Sequence, residues 1–450
     1  MTDPSTESSP EPSSSLFSSL RYRTYRRVWA ATVVDQTGNW LQITGRAWLI
    51  YHVTGSTTSL GTIYFLSYLP QLLLAPLGGV VADRFDRRLV LMTGEVVLGL
   101  GAAAMAVLAS TDTATVATVG VLSLILGAAA TLSMPAQIAL VPALVPRHEL
   151  TSAVSLTAAT QATTRVLGPL LAGALIPLIG VAWLFWLNAA SFLVILGVWL
   201  ATRVPKQPPM AEGTTFGAIA ASIRWVRNTP AVAVVIVTTL VVAGIGQVYQ
   251  PLAVAYCTKV LANGDGDRGA TYYGLFQAAI GIGSAIGIAS LVVLASRQPR
   301  MGFKVATIGC AASMFFVGLA QSLPTALLAG LAIGVFQFAL TTLSLTFIQH
   351  AAPEEMRGRV VSLQTICWAG PLPLIGLIGG ALASMIGLPA TLMWFGVLCL
   401  VYCVPFMWLA RYLPTTSIAA PSAATRLAAQ EEEDFVVVPV VDALRSAEDG

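Results

Sequence analysis

Asp35, Asn39, Gln42 and Arg46 follow one another at spacings of four, three and four residues in a segment that is otherwise largely apolar. At about 100° per residue they share a helical stripe roughly 60° wide. Two further ionisable residues, Glu95 and Arg165, also sit deep in long apolar segments. A charge at the centre of a membrane helix costs at least about 2.5 kcal/mol, so such residues are functional candidates by default. Acids of this kind can take up and release protons. The amides beside them can bond a solute, and the arginines can hold an anion. Asp35, Glu95 and Arg165 are therefore candidates for proton coupling, and Asn39, Gln42 and Arg46 for the wall of a polar cavity. The competing reading is hydrogen bonding that holds helices together. For Glu95, about two turns from one end of its segment, a second proton site is one reading and a role in the inner gate, near the Asp83–Arg88 run, is the favoured one. Arg165 needs an acid, an amide, backbone carbonyls or a bound anion as partner.

These residues need a membrane scaffold to hold them. The chain has 450 residues, of which 56% are hydrophobic and only 10% charged. Its mean hydropathy is +0.77. Soluble domains carry roughly 25% charged residues. A spanning helix needs about 20 apolar residues. Twelve segments qualify, at 28–51, 58–82, 89–110, 116–143, 151–178, 181–203, 231–256, 271–294, 304–322, 325–349, 359–386 and 389–411. The fold class is an all-α integral membrane protein of twelve transmembrane helices in two six-helix pseudo-symmetric halves.

The expected organisation is a disordered N-terminus (1–20), a first half (21–203), a linker (204–230), a second half (231–412) and a disordered acidic tail (413–450). The linker carries Phe216, Ile219, Ile223 and Val226 at helical spacing beside Arg224 and Arg227. That pattern suits an amphipathic helix on the membrane surface, with a plain linker as the alternative. The halves echo each other at Gly168-Pro169 and Gly370-Pro371. With the N-terminus inside, 20 of the 24 Lys and Arg residues become cytoplasmic. The positive-inside rule therefore places both termini in the cytoplasm of a cell (inner or plasma) membrane.

Other polar and aromatic residues at helical spacing are candidates for the cavity wall: Tyr68, Gln71, Gln161, Gln247, Gln250, Gln277, Gln337 and Trp368. The second half contributes amides, hydroxyls and aromatics to its spans but no charge, which suits an amphipathic substrate. The five cysteines lie in apolar segments without metal-ligand spacing, and there is no P-loop. The expectation is no cofactor, no metal and no enzyme. The partners are a small amphipathic substrate, protons and the lipid bilayer, with no nucleic acid, and the protein is expected to act as a monomer.

Between the second and third segments runs Gly78-Gly79-Val80-Val81-Ala82-Asp83-Arg84-Phe85-Asp86-Arg87-Arg88. It resembles the loop between helices 2 and 3 of major facilitator superfamily transporters, Gly-x-x-x-Asp-Arg-x-Gly-Arg-Arg/Lys. Gly79, Asp83, Arg84, Arg87 and Arg88 match, and Asp86 stands where that family usually has glycine. The arginines also serve topology, but the acid at Asp83 points to a cytoplasmic gate. Leu20 to Arg26, Trp48 to Ser56, Arg165 to Pro169 and Arg357 to Val360 narrow the resemblance to the enterobactin-exporter and macrolide-efflux branch. That resemblance covers about residues 16–412. It implies secondary active transport, usually drug or siderophore export coupled to inward proton flow. It also implies a hinge in the fifth helix at Gly168 and Pro169. Residue patterns alone leave an importer, a lipid flippase or a membrane sensor open.

Overall fold

The computed structural model describes residues 17–140, 144–202 and 216–415. The first six long helices are α1 (Arg23–Thr54), α2 (Thr57–Arg84), α3 (Arg87–Ser110), α4 (Val116–Leu140), α5 (Leu150–Ile179) and α6 (Val181–Ala201). A short helix, α7 (Phe216–Asn228), leads to the rest. The seventh span, Pro230–Leu261, is irregular. It consists of α8 (Pro230–Thr238), a π turn, a 3-10 turn, α9 (Tyr249–Ala255) and a second π turn. Then follow α10 (Gly266–Arg297), α11 (Pro299–Leu319) and α12 (Leu323–Ala351). The eleventh span is split at Gly370-Pro371 into α13 (Glu354–Ala369) and α14 (Pro371–Ile386), and α15 (Leu388–Leu409) completes the bundle.

Ten helical stretches among the described residues are long and apolar enough to cross a membrane. At 32 residues α1 is long enough too, but its middle carries the polar stripe. Large apolar side chains such as Leu178 and Leu193 are 76% and 72% exposed. This is the outer surface of a multi-pass membrane protein, where lipid replaces water as the solvent.

Local chemistry sets the ends. Ser56 caps α2 by accepting from the Ser59 amide at 3.2 Å, and Asp265 caps α10 by accepting from the Arg268 amide at 3.0 Å. Gly180 and Gly387 occupy equivalent junctions, α5 to α6 and α14 to α15. Their dihedrals nearly coincide, at φ 82°, ψ 160° and φ 86°, ψ 158°. Only glycine adopts that conformation readily, and its recurrence marks the relation between the two sets of six spans.

We call the end where α1 begins and α15 finishes proximal, and the opposite end distal. The two halves meet in the distal part. Thr57 Oγ1 donates to the Gly380 carbonyl at 3.0 Å, and α2 and α14 touch so closely that a Cβ at Gly61 would lie 2.3 Å from the Gly376 carbonyl oxygen. On the other side, α5 meets α10, where a Cβ on Gly173 would lie 2.6 Å from the Ala270 carbonyl oxygen. Toward the proximal end the halves part. A cleft of about 360 Å³ separates Tyr68, Gln71, Leu72 and Ala75 of α2 from Ser362, Thr365 and Ile366 of α13. The molecule is therefore sealed distally and open proximally.

The Phe216–Asn228 stretch of the linker is helical. Val226 is buried, whereas Ile223, Arg224 and Arg227 are exposed. The side chains of Phe216 and Ile219, residues 1–16, the linker at 204–215 and the acidic stretch at 431–434 lie outside what the structure describes.

Candidate functional site

Asp35 and Glu95 are both buried, at 7% and 5% exposure. Asp35 Oδ1 and Glu95 Oε2 have no hydrogen-bond partner, and Glu95 lies within electrostatic reach of Asp35. The pair sits in the first half, where α1 and α3 pack with α4 and α6 around Val28, Leu91, Phe192 and Trp199. Among the described residues no base forms an ion pair with either carboxyl. Glu95 is thus within electrostatic reach of Asp35, which sequence distance alone did not reveal. The next polar positions on α1 diverge. Gln42 is buried and its Oε1 accepts from Asn188 Nδ2 of α6 at 2.6 Å. That amide is committed to holding α1 on α6, so it does not line a cavity. Asn39 is exposed. Arg46 Nη1 reaches Ser123 Oγ of α4 at 3.4 Å, with Tyr64 and Tyr68 in electrostatic range.

Arg165 is mid-helix in α5, and its guanidinium lies between two aromatic faces. Its Cζ is 5.4 Å from the Trp40 ring centre and 5.2 Å from that of Phe338. Trp40 comes from α1 and Phe338 from α12, so the arginine bridges the halves. It lines a small central cavity with Tyr249, Gln250 and Gln277. Asp35 is not its partner.

The second-half amides divide into two groups. Gln247 Nε2 donates to the carbonyls of Ala243 (2.7 Å) and Trp368 (3.1 Å), and Gln337 Nε2 also reaches the Ala243 carbonyl at 3.3 Å. Both glutamines are buried. They satisfy carbonyls beside the irregular turns of the seventh span, where regular helical bonding is interrupted. Neither is a cavity wall, and only a predicted break in that helix could have signalled this. Gln250 accepts from Tyr64 Oη at 3.4 Å and donates to Gln247 Oε1 at 2.9 Å, while Gln277 Oε1 is buried without a partner. Trp368 is half-buried and packs against two core clusters, one that joins both halves and one in the second half. Tyr68 and Gln71 line the proximal cleft, and Gln161 lines a second one of about 280 Å³ between α1, α4 and α5.

The charged run has a structural use of its own. Asp86 is the N-cap of α3, accepting from the amides of Arg88 (2.8 Å) and Leu89 (3.1 Å). This explains an acid where the resemblance expects glycine, since both serve as caps. Arg88 donates to the carbonyls of Trp199 (2.7 Å) and Leu200 (3.0 Å) at the end of α6. Arg300, at the start of α11, does the same to Arg411 and Leu413 after α15. The two arginines are equivalent clamps, each within its own half, and cations suit helix C-termini. Arg84 is exposed and Arg87 buried. Gly79 and the Asp83 side chain lie outside what the structure describes. The fifth helix is not broken at Gly168 and Pro169, because α5 runs unbroken through both. What the glycine admits is Trp40, whose Cβ would lie 2.2 Å from an added Cβ. No cluster of metal-ligating side chains occurs among the described residues.

The family model described as transmembrane secretion effector matches residues 14–437. The chain belongs to that family. It is 29% identical to the enterobactin exporter EntS of Salmonella typhimurium over 346 residues, covering 75% of this chain and 79% of that protein. To EntS of Escherichia coli O81 it is 28% identical over 317 residues, covering 69% and 72%. The nucleoside transporter NupG superposes with a TM-score of 0.68 at 13% identity, covering 86% of this chain and 98% of that one. A bacterial homologue of the human lysosomal transporter Spinster, in an inward-facing unoccupied conformation, gives 0.69 at 14% identity, covering 86% and 97%. These structures share the fold, and the resemblance read from the sequence is borne out: the chain has the major facilitator architecture.

Proposed function

We propose that this secretion effector is a secondary exporter that moves an amphipathic, siderophore-like molecule out of the cell in exchange for protons. The observation that carries the reading is the bundle sealed distally and open proximally, with a charged site, Arg165, between the two halves. Such a site is reached from one side at a time, as alternating access requires. The names of the relatives support export of a small molecule. The basic residues at the proximal end support placing that end, and both termini, in the cytoplasm of the inner or plasma membrane. On this reading residues 21–203 and 231–412 are the two moving bodies, 204–230 joins them, and a single chain suffices for transport.

Asp35 and Glu95 are the proton site of this scheme. Two ionised carboxylates in one apolar pocket repel each other and lose hydration, and a proton on either relieves both costs. Coupling runs through α1. Asp35 faces the pocket in the first half, while Trp40, about 140° further round the helix, stacks on Arg165. A shift of α1 on protonation therefore reaches the central site. Asp83 and the arginines after it remain candidates for contacts across the proximal opening when it closes.

The experiment is transport in proteoliposomes with an imposed proton gradient and a panel of lipophilic drugs and siderophores. Gradient-driven movement of a panel member supports the reading. Movement that is indifferent to the gradient removes the proton from the scheme.

A further inference from the structure

The proximal cleft between α2 and α13 carries unpaired positive charge. Arg359 lines its α13 wall, and Ser222 of α7 lines it as well. On the same short helix Arg224 and Arg227 are exposed, with Ile223 exposed beside them. Among the described residues none of these three arginines has a hydrogen bond or an ion pair. Between them the walls are largely apolar. Leu72 and Ala75 face Leu363 and Ile366 across a volume of about 360 Å³, and Leu72 and Ile366 are 42% and 52% exposed. A cleft lined in this way suits a segment that is acidic at one end and apolar at the other.

The chain supplies such a segment. Residues 416–450 follow the last described residue and contain Glu431-Glu432-Glu433-Asp434 directly before Phe435-Val436-Val437-Val438. Four consecutive apolar residues favour burial against another surface over exposure to water. The root of the tail is fixed, because Arg300 donates to the carbonyls of Arg411 and Leu413, both at 2.7 Å. The short turn Ala410–Tyr412 after α15 touches α8, and α8 touches α13. At about 8–10 Å between packed helices, the cleft lies about 20 Å from that root. Glu431 is sixteen positions beyond Thr415, and a flexible chain of that length has a root-mean-square span of about 20–24 Å. The tail therefore reaches the cleft without stretching, and a tether of matched length keeps its segment at high local concentration.

We infer that residues 431–438 of the chain's own tail dock in the proximal cleft. The four acids pair with Arg224, Arg227 and Arg359, and Phe435 to Val438 cover the apolar walls between α2 and α13. This departs from the expectation of a tail disordered throughout, and it stands independently of what the protein transports.

The test is a spin-label distance in the purified full chain, between Gln430→Cys in the tail and Gly358→Cys on α13. A side chain added at Gly358 meets open space, and Cys367→Ser removes the one native thiol that is not buried. The native tail should give a narrow population at short distance. Replacing its acids together, by Glu431→Gln, Glu432→Gln, Glu433→Gln and Asp434→Asn, should lower the docked-to-free ratio roughly five- to thirtyfold, the combined effect of three exposed ion pairs. Arg224→Glu, Arg227→Glu and Arg359→Glu together should abolish the short population. Adding Glu431→Lys, Glu432→Lys, Glu433→Lys and Asp434→Lys to that triple should restore it, which a folding defect would not do. A broad population at long distance with the native tail overturns the inference, and so does a distance that ignores both sets of substitutions. A short population that vanishes on dilution with unlabelled protein overturns it by assigning the occupant to a second copy. A short population present in phosphatidylcholine vesicles and lost when phosphatidylglycerol is added overturns it in favour of an anionic lipid.

Discussion

Gln42 and Asn188 form a buried amide pair between α1 and α6, at 2.6 Å. Interhelical bonds of this kind in membranes average about 0.6 kcal/mol and reach about 1.7. A double-mutant cycle of Gln42→Leu and Asn188→Leu, read by unfolding in detergent, should give a coupling energy in that range. No coupling would mean the amides are better placed elsewhere. This pair also marks the limit of what residue spacing reveals. The polar stripe on α1 was legible as four residues on one face. Their separate fates were not, because each depends on which helix packs there. Asp35 comes within electrostatic reach of Glu95, Gln42 bonds Asn188, and Arg46 points toward α4 and the α2 tyrosines. Arg165 was legible as a cation needing a partner, while its place between Trp40 and Phe338 required knowing that α1 and α12 flank α5.

At the scale of elements, the start of α3 offers a sharp comparison. Asp86 caps the helix, and glycine is a good cap substitute where alanine is not. Asp86→Ala should therefore cost about 1 kcal/mol of stability and Asp86→Gly only a few tenths, measured by thermal unfolding of the two variants side by side. Equal losses would show that the carboxylate has some other use. Element positions were read well from apolar length, since twelve stretches long enough to span leave little freedom. The internal character of two spans was not. The π and 3-10 turns of Pro230–Leu261 depend on side-chain donors from other helices, notably Gln337. The split at Gly370-Pro371 was visible as a Gly-Pro pair, but the same pair at Gly168-Pro169 leaves α5 intact, so the dipeptide alone does not decide.

For the whole molecule, the distal seal and the proximal opening are linked through rigid halves. Spin labels at Ala158→Cys on α5 and Thr365→Cys on α13, both exposed, with Cys367→Ser, should report the opening. Substrate should shorten the distance distribution between them. Gly61→Val, which forces a side chain against the Gly376 carbonyl, should disrupt the seal and shorten that distance without substrate. A distance that ignores both would contradict rocking of the halves. The pseudo-symmetry was legible in part, from paired turns and Gly-Pro motifs. The matching clamps of Arg88 and Arg300, and the matching dihedrals of Gly180 and Gly387, emerge only when the chain is folded.

The buried carboxyls are the link between protons and transport in the proposed scheme. The direct measurement compares wild type, Asp35→Asn and Glu95→Gln in proteoliposomes, following both gradient-driven accumulation and gradient-free exchange of a transported panel compound. In that scheme each variant loses accumulation while keeping exchange, because the proton site lies apart from the central cavity. Accumulation at wild-type level in both variants would contradict it.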